Sequence, residues 1–510
     1  MRRIFFRTIR DLRLEETLIR VLLINPPALN TVIENPDEQG GEFLEADAFG
    51  DFPPLGALYV LTHLKEKTDH ECLFKDCVAE RTSYPRLREY IREHRPDVVG
   101  ITSFTVCLVD ACEVARLVKE ELPGTHVCMG GHHPIAYPKE AAELENFDSI
   151  VVGEGEIAFT ELVECLARGE DFTHIRGVYT RESIQPHLAN PITDKRFLAR
   201  VNVPAAYVDD IDALPIVDRS FIRHLRYQNI LGVTKDLATI LSSRGCPYRC
   251  TFCDVPIKSY RERSAQSVVD EVERCLMMGY KEFRFYDDLF NITEKKIVSL
   301  CDELDRRGLK IVWDFRGRVN TVTRESLARA KASGLRMIAF GVETGTDEGL
   351  KILRKGTTTA KVRKAFEICR ELGILTVADY IIGQPFERSV EDVKRSIDFL
   401  IGLDPDYAQI SVLKLYPNTE MYDNAVAKGV VAPGRWQDYS RSPAKDFVVD
   451  HWDEFLDLPT LVSLQKYAYR RFYFRPRYIL RNVIQTRSLV EFRSKVNGVG
   501  KLLGKNLRLS

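Results

Sequence analysis

Short β-branched runs alternate with amphipathic stretches in two separate blocks of this chain, at about residues 19–169 and 236–419. Strands that alternate with helices favour parallel sheets covered by helices. We therefore predict an α/β protein, with an N-terminal doubly wound parallel sheet followed by a partial barrel of six β/α units. The predicted strands are residues 20–24, 71–75, 98–102, 126–129 and 149–152, and then 238–242, 282–286, 310–315, 337–342, 374–382 and 407–415.

The rest of the chain divides into three further regions. Residues 1–18 form a basic extension, residues 170–235 read as a proline-punctuated linker with a small hairpin, and residues 420–510 read as a helical, basic and aromatic-rich region. A length of 510 residues with 45% hydrophobic residues is ample for two or three cores. The longest uncharged apolar stretch, residues 98–109, is too short to cross a bilayer, so we expect no transmembrane helix.

Three of the twelve cysteines, Cys246, Cys250 and Cys253, share one short segment with the spacing CxxxCxxC. Three thiolates on one loop can hold three irons of a cubane cluster and leave the fourth iron without a protein ligand. A structural zinc site stays open as an alternative, although it would need a fourth ligand and the chain has no second CxxC pair. Twelve cysteines without an apolar signal segment indicate a reducing cytoplasm rather than disulfides. The other nine are scattered singly in apolar surroundings, so we expect each to be a small buried hydrophobic residue.

The cysteine segment, with Phe252 just before its last cysteine, resembles that of the radical S-adenosylmethionine (SAM) enzymes. The resemblance implies a [4Fe-4S] cluster on Cys246, Cys250 and Cys253, with SAM chelated at the open iron. It further implies one-electron cleavage of SAM to a 5'-deoxyadenosyl radical, and an electron donor such as flavodoxin or ferredoxin.

Polar residues follow the other predicted barrel strands, and the carboxyl ends of such strands are where active groups gather. The stretch Gly341-Val-Glu343-Thr resembles the family's GVES motif, and equivalent family motifs hold the amino group, ribose and adenine of SAM. A structural ion pair would give the same pattern for any one of these charged residues. The resemblance implies SAM contacts at Phe252, Asp287, Arg318, Glu343 and Gly383, with Glu343 the strongest of them.

Small and polar residues also follow the strands of the first block, where a doubly wound sheet binds its ligands. Each could be a plain tight turn. Jointly, with Pro53-Pro-Leu-Gly56 and Pro96-Asp-Val-Val-Gly100, they resemble the Rossmann-like cobalamin-binding domain of one radical SAM class. The resemblance implies cobalamin contacts at Asp76, Thr102, Ser103, Gly130, Gly131, Gly153, Glu154 and Gly155.

One motif of other cobalamin proteins is missing from the sequence. Their DxHxxG motif supplies a histidine ligand to cobalt, but Val78 and Arg81 stand at the histidine and glycine positions after Asp76. Radical SAM relatives commonly hold the corrin without this histidine. His132 and His133 are expected to donate hydrogen bonds in their turn, with an approach to the corrin as the alternative.

The resemblance implies a cobalamin-dependent radical SAM enzyme that methylates an unactivated carbon of a small molecule or lipid through methylcobalamin. Two alternatives stay open. The same domains serve radical cyclisation or ring rearrangement, as in the anaerobic magnesium-protoporphyrin cyclase, or the protein could be a corrin- or cluster-binding sensor without turnover. The sequence assigns no catalytic side chain.

Basic residues are concentrated at the C-terminus, where residues 466–510 hold twelve Lys or Arg and a single acid, Glu491. The aromatic face of this segment could pack on the barrel, or the segment could lie on an anionic membrane surface. Nucleic acid is an unfavoured partner because no RNA-binding module accompanies the charge. We expect a cytoplasmic protein, with peripheral contact at the inner membrane face as an alternative.

Overall fold

The protein's structure, a computed structural model, describes residues 18–34, 50–198, 201–229, 231–234 and 236–485. Nearly all of the predicted N-terminal extension and the basic tail beyond residue 485 lie outside these residues. Within them, no helix is long and apolar enough to cross a membrane.

The first half of the chain forms a six-stranded sheet in the order β3-β1-β4-β5-β6-β7, parallel except for the β6–β7 pair. The strands of this half are β1 (Arg20–Asn25), β2 (Gly50–Asp51), β3 (Glu71–Asp76), β4 (Val98–Thr102), β5 (His126–Gly130), β6 (Ser149–Val151), β7 (Val178–Tyr179) and β8 (Gln228–Asn229). Strands β2 and β8 lie outside the six-stranded sheet and pair with each other. Its helices are α1 (Leu55–Lys67), α2 (Tyr84–His94), α3 (Leu108–Glu121), α4 (His132–Ala136), α5 (Pro138–Glu143), α6 (Gly155–Arg168) and α7 (Gln185–Ala189).

Helices cover both faces of this sheet, which explains the unbroken apolar run of β1. Val21 and Leu23 of β1 pack with α1 and α6, while Leu22 and Ile24 pack with α2 and α3 on the other face. A strand buried on both faces has no position where a polar residue would meet water. The doubly wound sheet predicted from the sequence is therefore confirmed.

The predicted small hairpin in the linker was wrong. Val178 and Tyr179 form β7, which pairs antiparallel with β6 and extends the first sheet by one strand. Both residues are almost fully buried, because they continue the core of that sheet rather than stand apart from it. A two-residue strand carries too little pattern for the sequence to reveal its distant partner.

The second half forms a six-stranded, wholly parallel sheet in the order β16-β15-β14-β13-β12-β9, the predicted partial barrel. The strands, with the separate ribbon β10–β11, are β9 (Leu237–Ile240), β10 (Ser243–Arg244), β11 (Arg261–Glu262), β12 (Glu282–Phe285), β13 (Val312–Gly317), β14 (Leu335–Glu343), β15 (Leu375–Ile382) and β16 (Tyr407–Val412). The helices are α8 (Ala265–Met277), α9 (Glu294–Arg306), α10 (Arg324–Ala332), α11 (Asp347–Ile352), α12 (Thr359–Leu372), α13 (Val390–Leu403), α14 (Glu420–Ala427), α15 (Arg435–Arg441), α16 (Leu458–Tyr473) and α17 (Pro476–Gln485).

Hydroxyl caps start the helices that connect the barrel strands. Each of these side chains accepts a hydrogen bond from a backbone N–H of the first turn and so satisfies a group that the helix leaves unpaired. The connecting helices pack one face of the sheet, where Trp313, Phe283 and Phe340 are fully buried. The caps are Ser264 of α8, Thr293 of α9, Thr323 of α10, Thr358 of α12 and Ser389 of α13.

Helix α16 seals the open edge of the barrel. The hydroxyl groups of Tyr469 and Tyr473 bond to the backbone of Ile410 and Ala408 on the edge strand β16, at 3.0–3.2 Å. Edge strands otherwise expose unpaired backbone groups. The described part of the basic C-terminal segment therefore packs its aromatic face on the barrel.

Candidate functional site

The three cysteines lie on a loop that is closed at its base by the β10–β11 ribbon. Arg244 and Arg261 are paired across this ribbon, and residues 245–260 form the loop between them. Within the loop, the backbone N–H of Cys246 donates to the carbonyl of Ile257 at 3.0 Å. Gly245 has a φ of +82°, and a Cβ there would lie 2.3 Å from the carbonyl oxygen of Ser259, so the tight base requires glycine.

The thiols of this loop are free, and Cys246 and Cys253 lie in surroundings that disfavour the charged thiolate. Burial raises the pKa of Cys253 to about 11 and also raises the pKa of Cys246, so both stay protonated until a metal displaces the proton. No three His, Cys, Asp or Glu side chains among the described residues converge as a ready metal-ligand set. The loop therefore supplies the three thiols in one place without holding them in a finished coordination geometry.

Arg318, at the end of β13, reaches the cysteine loop. Its Nη1 lies 3.5 Å from the Sγ of Cys250, and its guanidinium stacks 3.9 Å from the ring centre of Tyr248. Its Nε and Nη2 are buried without a hydrogen-bond partner. Asn291 fixes the backbone of Arg318 through two hydrogen bonds of 2.7 and 2.9 Å. A buried cation with two unused donors beside the thiols fits an anionic group of a bound cofactor.

Glu343 ends β14 at a bulge and forms a buried ion pair with Lys355. Its Oε1 lies 2.6 Å from the Lys355 Nζ, and both side chains are about one-tenth exposed. Its φ is +66°, a region that costs a non-glycine residue of order 1–3 kcal/mol and that clusters at functional sites. Gly341 leaves room for the pair, since a Cβ there would lie 2.4 Å from the Glu343 Oε1.

Asp287, the predicted SAM contact after β12, is fully engaged by the protein. Its Oδ1 accepts the N–H of Ser242 at 2.7 Å, and its Oδ2 accepts the hydroxyls of Ser242 and Ser243 at 2.5 and 2.6 Å. The Lys296 Nζ lies 3.0 Å from the same Oδ2. This carboxylate ties β9 and β10 to β12 and so holds the start of the cysteine loop, which favours a positioning role.

Gly383, after β15, turns the backbone at a φ of +77° against the side chain of Leu461. Its N–H and that of Gln384 both donate to the Glu387 Oε2, at 2.7 and 2.9 Å. Burial raises the pKa of Glu387 to about 7. The amide group of Gln384 is buried with neither polar atom bonded, and the hydroxyl of Thr344 is in the same state. Unused buried polar atoms thus gather at this end of the barrel.

The strand order of the first sheet reverses between β1 and β4, and we call this place the switch point. The order is that of flavodoxin-like folds, which bind ligands in the crevice at the carboxyl ends of the strands there. Asp76, at the end of neighbouring β3, accepts hydrogen bonds from Asn25, Val78, Ala79 and the hydroxyl of Tyr227 at 2.7–3.2 Å. Its two oxygens are therefore occupied within the protein, and Asp76 shapes the turn instead of facing the crevice.

Gly131 brings the loops after β4 and β5 into contact. Its φ is +92°, and a Cβ would lie 2.9 Å from the backbone N and O of Ser103 and from the Thr102 Oγ1. Gly130 has nothing within 4 Å of its Cβ position, so a ligand can approach it. The loops after β4 and β5 therefore bring four of the predicted cobalamin contacts together beside the switch point, namely Thr102, Ser103, Gly130 and Gly131.

His133 is fully buried behind this turn, where its Nδ1 lies 3.1 Å from the Thr105 Oγ1 and its backbone N–H donates to the Ser103 carbonyl. Burial lowers its pKa to about 3, so the imidazole is neutral. His132 instead points toward the barrel, with its Nε2 3.5 Å from the Oδ2 of Asp254. The residue after Cys253 thus meets the residue after the glycine pair.

Gly153, Glu154 and Gly155 follow β6, away from the switch point. A Cβ on Gly153 would lie 2.2 Å from the carbonyl oxygen of Ala206. Glu154 accepts hydrogen bonds from Arg244 and Arg261, the two ribbon residues that close the cysteine loop. These contacts join the two halves of the molecule rather than leave Glu154 exposed to a ligand.

Sequence reasoning missed the partners that arrive from distant segments. Lys355, Lys296 and Tyr227 belong to no sequence motif. The linker, for which only a small hairpin was predicted, braces the cysteine loop, because the backbone N–H of Leu198 donates to the Pro256 carbonyl at 2.7 Å. Phe252 packs at the barrel end with the Lys355 Nζ 5.7 Å from its ring centre. A strand-end acid with a lysine twelve positions on is too loose a signal to identify such a pair.

Two family models match the chain, the B12 binding domain over residues 42–163 and the radical SAM superfamily over residues 240–400. An uncharacterized methyltransferase of Pyrococcus horikoshii is 27% identical over 477 residues, which is 92% of this chain and 95% of that protein. The anaerobic magnesium-protoporphyrin IX monomethyl ester cyclase of Rubrivivax gelatinosus is also 27% identical, over 74% of this chain and 67% of that protein.

The fold matches a solved structure in its whole arrangement. The radical S-adenosylmethionine methyltransferase TsrM from Kitasatospora setae, solved with cobalamin and a [4Fe-4S] cluster bound, aligns with a TM-score of 0.61 at 22% identity, over 82% of this chain and 76% of that chain. The two family models together cover more than half of the sequence and fall on the two sheets described above. The chain therefore belongs to the cobalamin-binding radical SAM enzymes.

Proposed function

We propose that the protein is a cobalamin-dependent methyltransferase that methylates an unactivated carbon of its substrate. The observation that carries the proposal is the meeting of the two strand ends, where Asp254 of the cysteine loop contacts His132 beside the glycine pair of the B12-binding domain. Methyl transfer needs the methyl donor and the radical-generating centre on either side of one substrate. The methyltransferase relative and the fold shared with TsrM support this outcome.

When bound, a cluster on Cys246, Cys250 and Cys253 and SAM would supply the 5'-deoxyadenosyl radical, and methylcobalamin the methyl group. Arg318 would bind an anionic group of the cofactor with its two unused guanidinium donors. Glu343, held in a strained conformation against Lys355, would bind the amino group of SAM through its second oxygen, since the ion pair engages only Oε1. These two side chains would fix SAM against the cysteine loop.

The remaining site residues would act through shape and position. Gly383 and Phe252 would border SAM at the barrel end, and Asp287 would hold the loop in place from behind. Gly130 and Gly131, with Thr102 and Ser103, would let the corrin approach the backbone at the switch point. Asp76, Gly153, Glu154 and Gly155 would support that surface from beneath and beside it.

The test is purification under anaerobic conditions with hydroxocobalamin, followed by reconstitution with iron and sulfide. The wild-type protein is expected to show a corrin absorption band and about four irons per chain, and to release 5'-deoxyadenosine from SAM and dithionite. Cys250→Ala should lose SAM cleavage. Cys301→Ala, which truncates a cysteine buried in the barrel core, is the matched control and should keep iron and cleavage.

Three results would contradict parts of this proposal. A full cluster that never cleaves SAM favours a sensor without turnover, and absence of the corrin band removes the methyl donor. If SAM is cleaved but label from methyl-labelled SAM never reaches a product, the chemistry is cyclisation or rearrangement, as in the relative from Rubrivivax gelatinosus. A natural electron donor such as flavodoxin or ferredoxin should replace dithionite in the same assay.

We further propose that helix α17 rests on an anionic membrane surface, which would present lipid or membrane-dissolved substrates to the enzyme. Phe474, Ile479 and Leu480 are exposed apolar side chains clustered within seven residues. The exposed Arg470 precedes them in the sequence, and the exposed Arg477 lies between Phe474 and Ile479. Residues 458–485 contain no acid, so the charge of this surface complements anionic headgroups.

Co-sedimentation with vesicles of phosphatidylglycerol and phosphatidylcholine tests this surface. Ile479→Glu with Leu480→Glu should reduce binding at least tenfold, whereas Met277→Glu, which changes a more exposed apolar residue elsewhere, should not. Equal sedimentation of both variants with the wild type would exclude the membrane contact and leave α17 as a barrel-packing element with a charged outer face.

A further inference from the structure

A buried cluster of four charges joins the B12-binding domain to the base of the cysteine loop. We call it the junction and define it as Glu154, Glu156, Arg244 and Arg261. We infer that these are positioning residues that couple the turn after β6 of the B12-binding domain to the cysteine loop, so that cobalamin binding and the conformation of the cluster loop depend on each other. This inference rests on the proposed function for the identity of the two ligands.

Both arginines of the junction bind Glu154, and Arg244 also binds Glu156. Arg244 donates from Nη1 to the Glu154 Oε1 at 2.9 Å and from Nη2 to the Glu156 Oε1 at 2.6 Å. Arg261 grips both oxygens of Glu154, at 2.7 and 3.0 Å. Because Arg244 and Arg261 face each other across the β10–β11 ribbon, one carboxylate is bonded to both strands that close the loop.

The junction is shielded from solvent. Its four side chains are between 3% and 13% exposed, and the rings of Tyr59 and Tyr207 cover the two guanidinium groups at 5.0 and 4.0 Å. Although burial acts to raise the pKa of Glu154, the hydrogen bonds of Arg261 and the charge of Arg244 hold it below its usual range. Two acids and two bases therefore face each other as a charged, balanced set, which tolerates no displacement of one partner without the others.

The backbone on each side of the junction leads directly to a predicted ligand contact. Gly153 precedes Glu154 and is locked to Ala206 by its positive φ and close approach. Cys246 lies two residues beyond Arg244. The linker braces both sides, because the N–H of Val208 donates to the Glu154 Oε2 at 2.8 Å and Phe197 forms a bridge with Ile257 of the loop.

These contacts give a physical route between the two sites. A shift of the turn after β6 moves Glu154, and Glu154 cannot move without the ribbon that closes the cysteine loop. Coupling of this kind is reciprocal, since a ligand that orders one side lowers the cost of ordering the other. The junction thus predicts that cobalamin orders the cysteine loop even when no cluster is present.

Hydrogen–deuterium exchange of the cluster-free protein, with and without hydroxocobalamin, tests this prediction. In the wild type, the corrin should slow amide exchange about threefold or more in peptides covering residues 130–133 and also residues 244–254. In Glu154→Gln the protection at 130–133 should persist while the protection at 244–254 is lost. The separate variant Arg244→Lys, which keeps the positive charge, should retain part of the corrin-dependent protection at residues 244–254.

Glu271 offers a matched control, because it is a buried glutamate of α8 that binds two arginines, Arg219 of the linker and Arg263, neither of which belongs to the junction. Glu271→Gln should lower thermal stability yet leave the corrin-dependent protection of residues 244–254 intact. Should Glu154→Gln fail to fold, Glu156→Gln removes only one of the three ion pairs and replaces it in the same comparison.

The result that overturns the inference is a wild type in which hydroxocobalamin protects residues 130–133 but leaves residues 244–254 unchanged. Equal loss of protection in Glu154→Gln and Glu271→Gln would also overturn it, since the effect would then be general destabilisation. A wild type that binds no corrin at all contradicts the proposed function instead. In that case the amide exchange of the cysteine loop without corrin tests whether the junction positions the loop. Its rate should rise about tenfold in Glu154→Gln and stay unchanged in Glu271→Gln, and an unchanged rate in Glu154→Gln would overturn the positioning role.

Discussion

The carboxyl ends of the two parallel sheets occupy equivalent places in their domains, but several of the polar residues there differ in how fully the protein bonds them. In the B12-binding domain, the carboxylate oxygens of Asp76 and Glu154 are occupied by hydrogen bonds and ion pairs within the protein. At the barrel end, Arg318 and Gln384 keep buried donors and acceptors without partners. An unused buried polar group is costly, which is why we propose that a ligand supplies the missing bonds at the barrel end.

The difference follows from the size and chemistry of the two proposed ligands. A corrin is broad, and most of its contact with a protein is made by close backbone approach, which Gly130 and Gly131 permit. SAM is smaller and carries an amino group, a carboxylate and a sulfonium, so side chains with charge and direction are needed to hold it. We therefore expect charged strand-end residues to identify the SAM contacts of the barrel, and glycines with close backbone packing to identify the cobalamin contacts of the B12-binding sheet.

Arg318 gives the largest expected effect and tests the barrel half of the comparison. Arg318→Lys keeps the charge but removes the planar guanidinium with its two unused donors. Hydrogen bonds to charged groups contribute about 1.5–3 kcal/mol each. Because the lysine ammonium can replace one of the two bonds, the affinity for SAM should fall by the loss of the other, roughly 10- to 150-fold. Isothermal titration of the reconstituted protein with SAM measures it.

The control for this prediction is Arg284→Lys, because Arg284 is a buried arginine of the same sheet whose Nε already donates to Asp314 at 2.6 Å. Its replacement should lower stability while SAM affinity per folded molecule stays within about threefold. If Arg318→Lys also binds SAM like the wild type, the unused donors of Arg318 do not belong to the SAM site and the contrast between the two sheet ends loses its main support.

Neighbouring glycines test the B12-binding half. Gly131→Ala places a Cβ 2.9 Å from the backbone of Ser103 at a φ of +92°, so it should destabilise this domain by about 1–3 kcal/mol and weaken corrin retention. Gly130→Ala meets nothing within 4 Å and should leave thermal stability unchanged. If Gly130 lies against the corrin, its added methyl group should still weaken hydroxocobalamin binding about tenfold.

Binding of hydroxocobalamin, followed by its absorption spectrum during titration, separates the two variants. Normal binding by Gly130→Ala would place the corrin elsewhere on the switch point. Wild-type stability of Gly131→Ala would show that the loop can relax and that close packing of the loops is not what makes glycine necessary there.

The sequence predicted the two sheets because their strands are long, apolar and regularly interrupted by helices. Residues 21–24 are hydrophobic on both faces, and the observed strand Arg20–Asn25 extends the predicted strand 20–24 by a single residue. The cysteine loop was equally visible, since its chemistry is contained within eight residues. Local pattern was sufficient in both cases.

The functions of individual polar residues were not accessible in the same way, because they depend on partners far along the chain. Asp76 is occupied by Tyr227, 151 positions away, and Glu154 by Arg261, 107 positions away. From sequence, each looks like a strand-end residue facing a ligand. β7 was misassigned for a related reason, since two residues gain their identity as a strand only from pairing with β6.

The smallest expected effect is a pH dependence that again differs between the two sheet ends. Burial raises the pKa of Glu387 from 4.5 to about 7, so the folded barrel binds a proton that the unfolded chain releases, and stability falls as pH rises through this window. Between about pH 6 and pH 7.5 this contributes roughly 1 kcal/mol. Glu387→Gln should remove that part of the fall in urea-unfolding measurements.

His133 acts with the opposite sign and completes the comparison. Its folded pKa of about 3 lies below the ordinary 6.5, so the unfolded chain binds the proton and stability rises with pH over the same interval. His133→Gln should therefore steepen the fall that Glu387→Gln flattens. Parallel shifts in both variants would mean that one shared structural change, and not two oppositely titrating groups, controls the pH dependence.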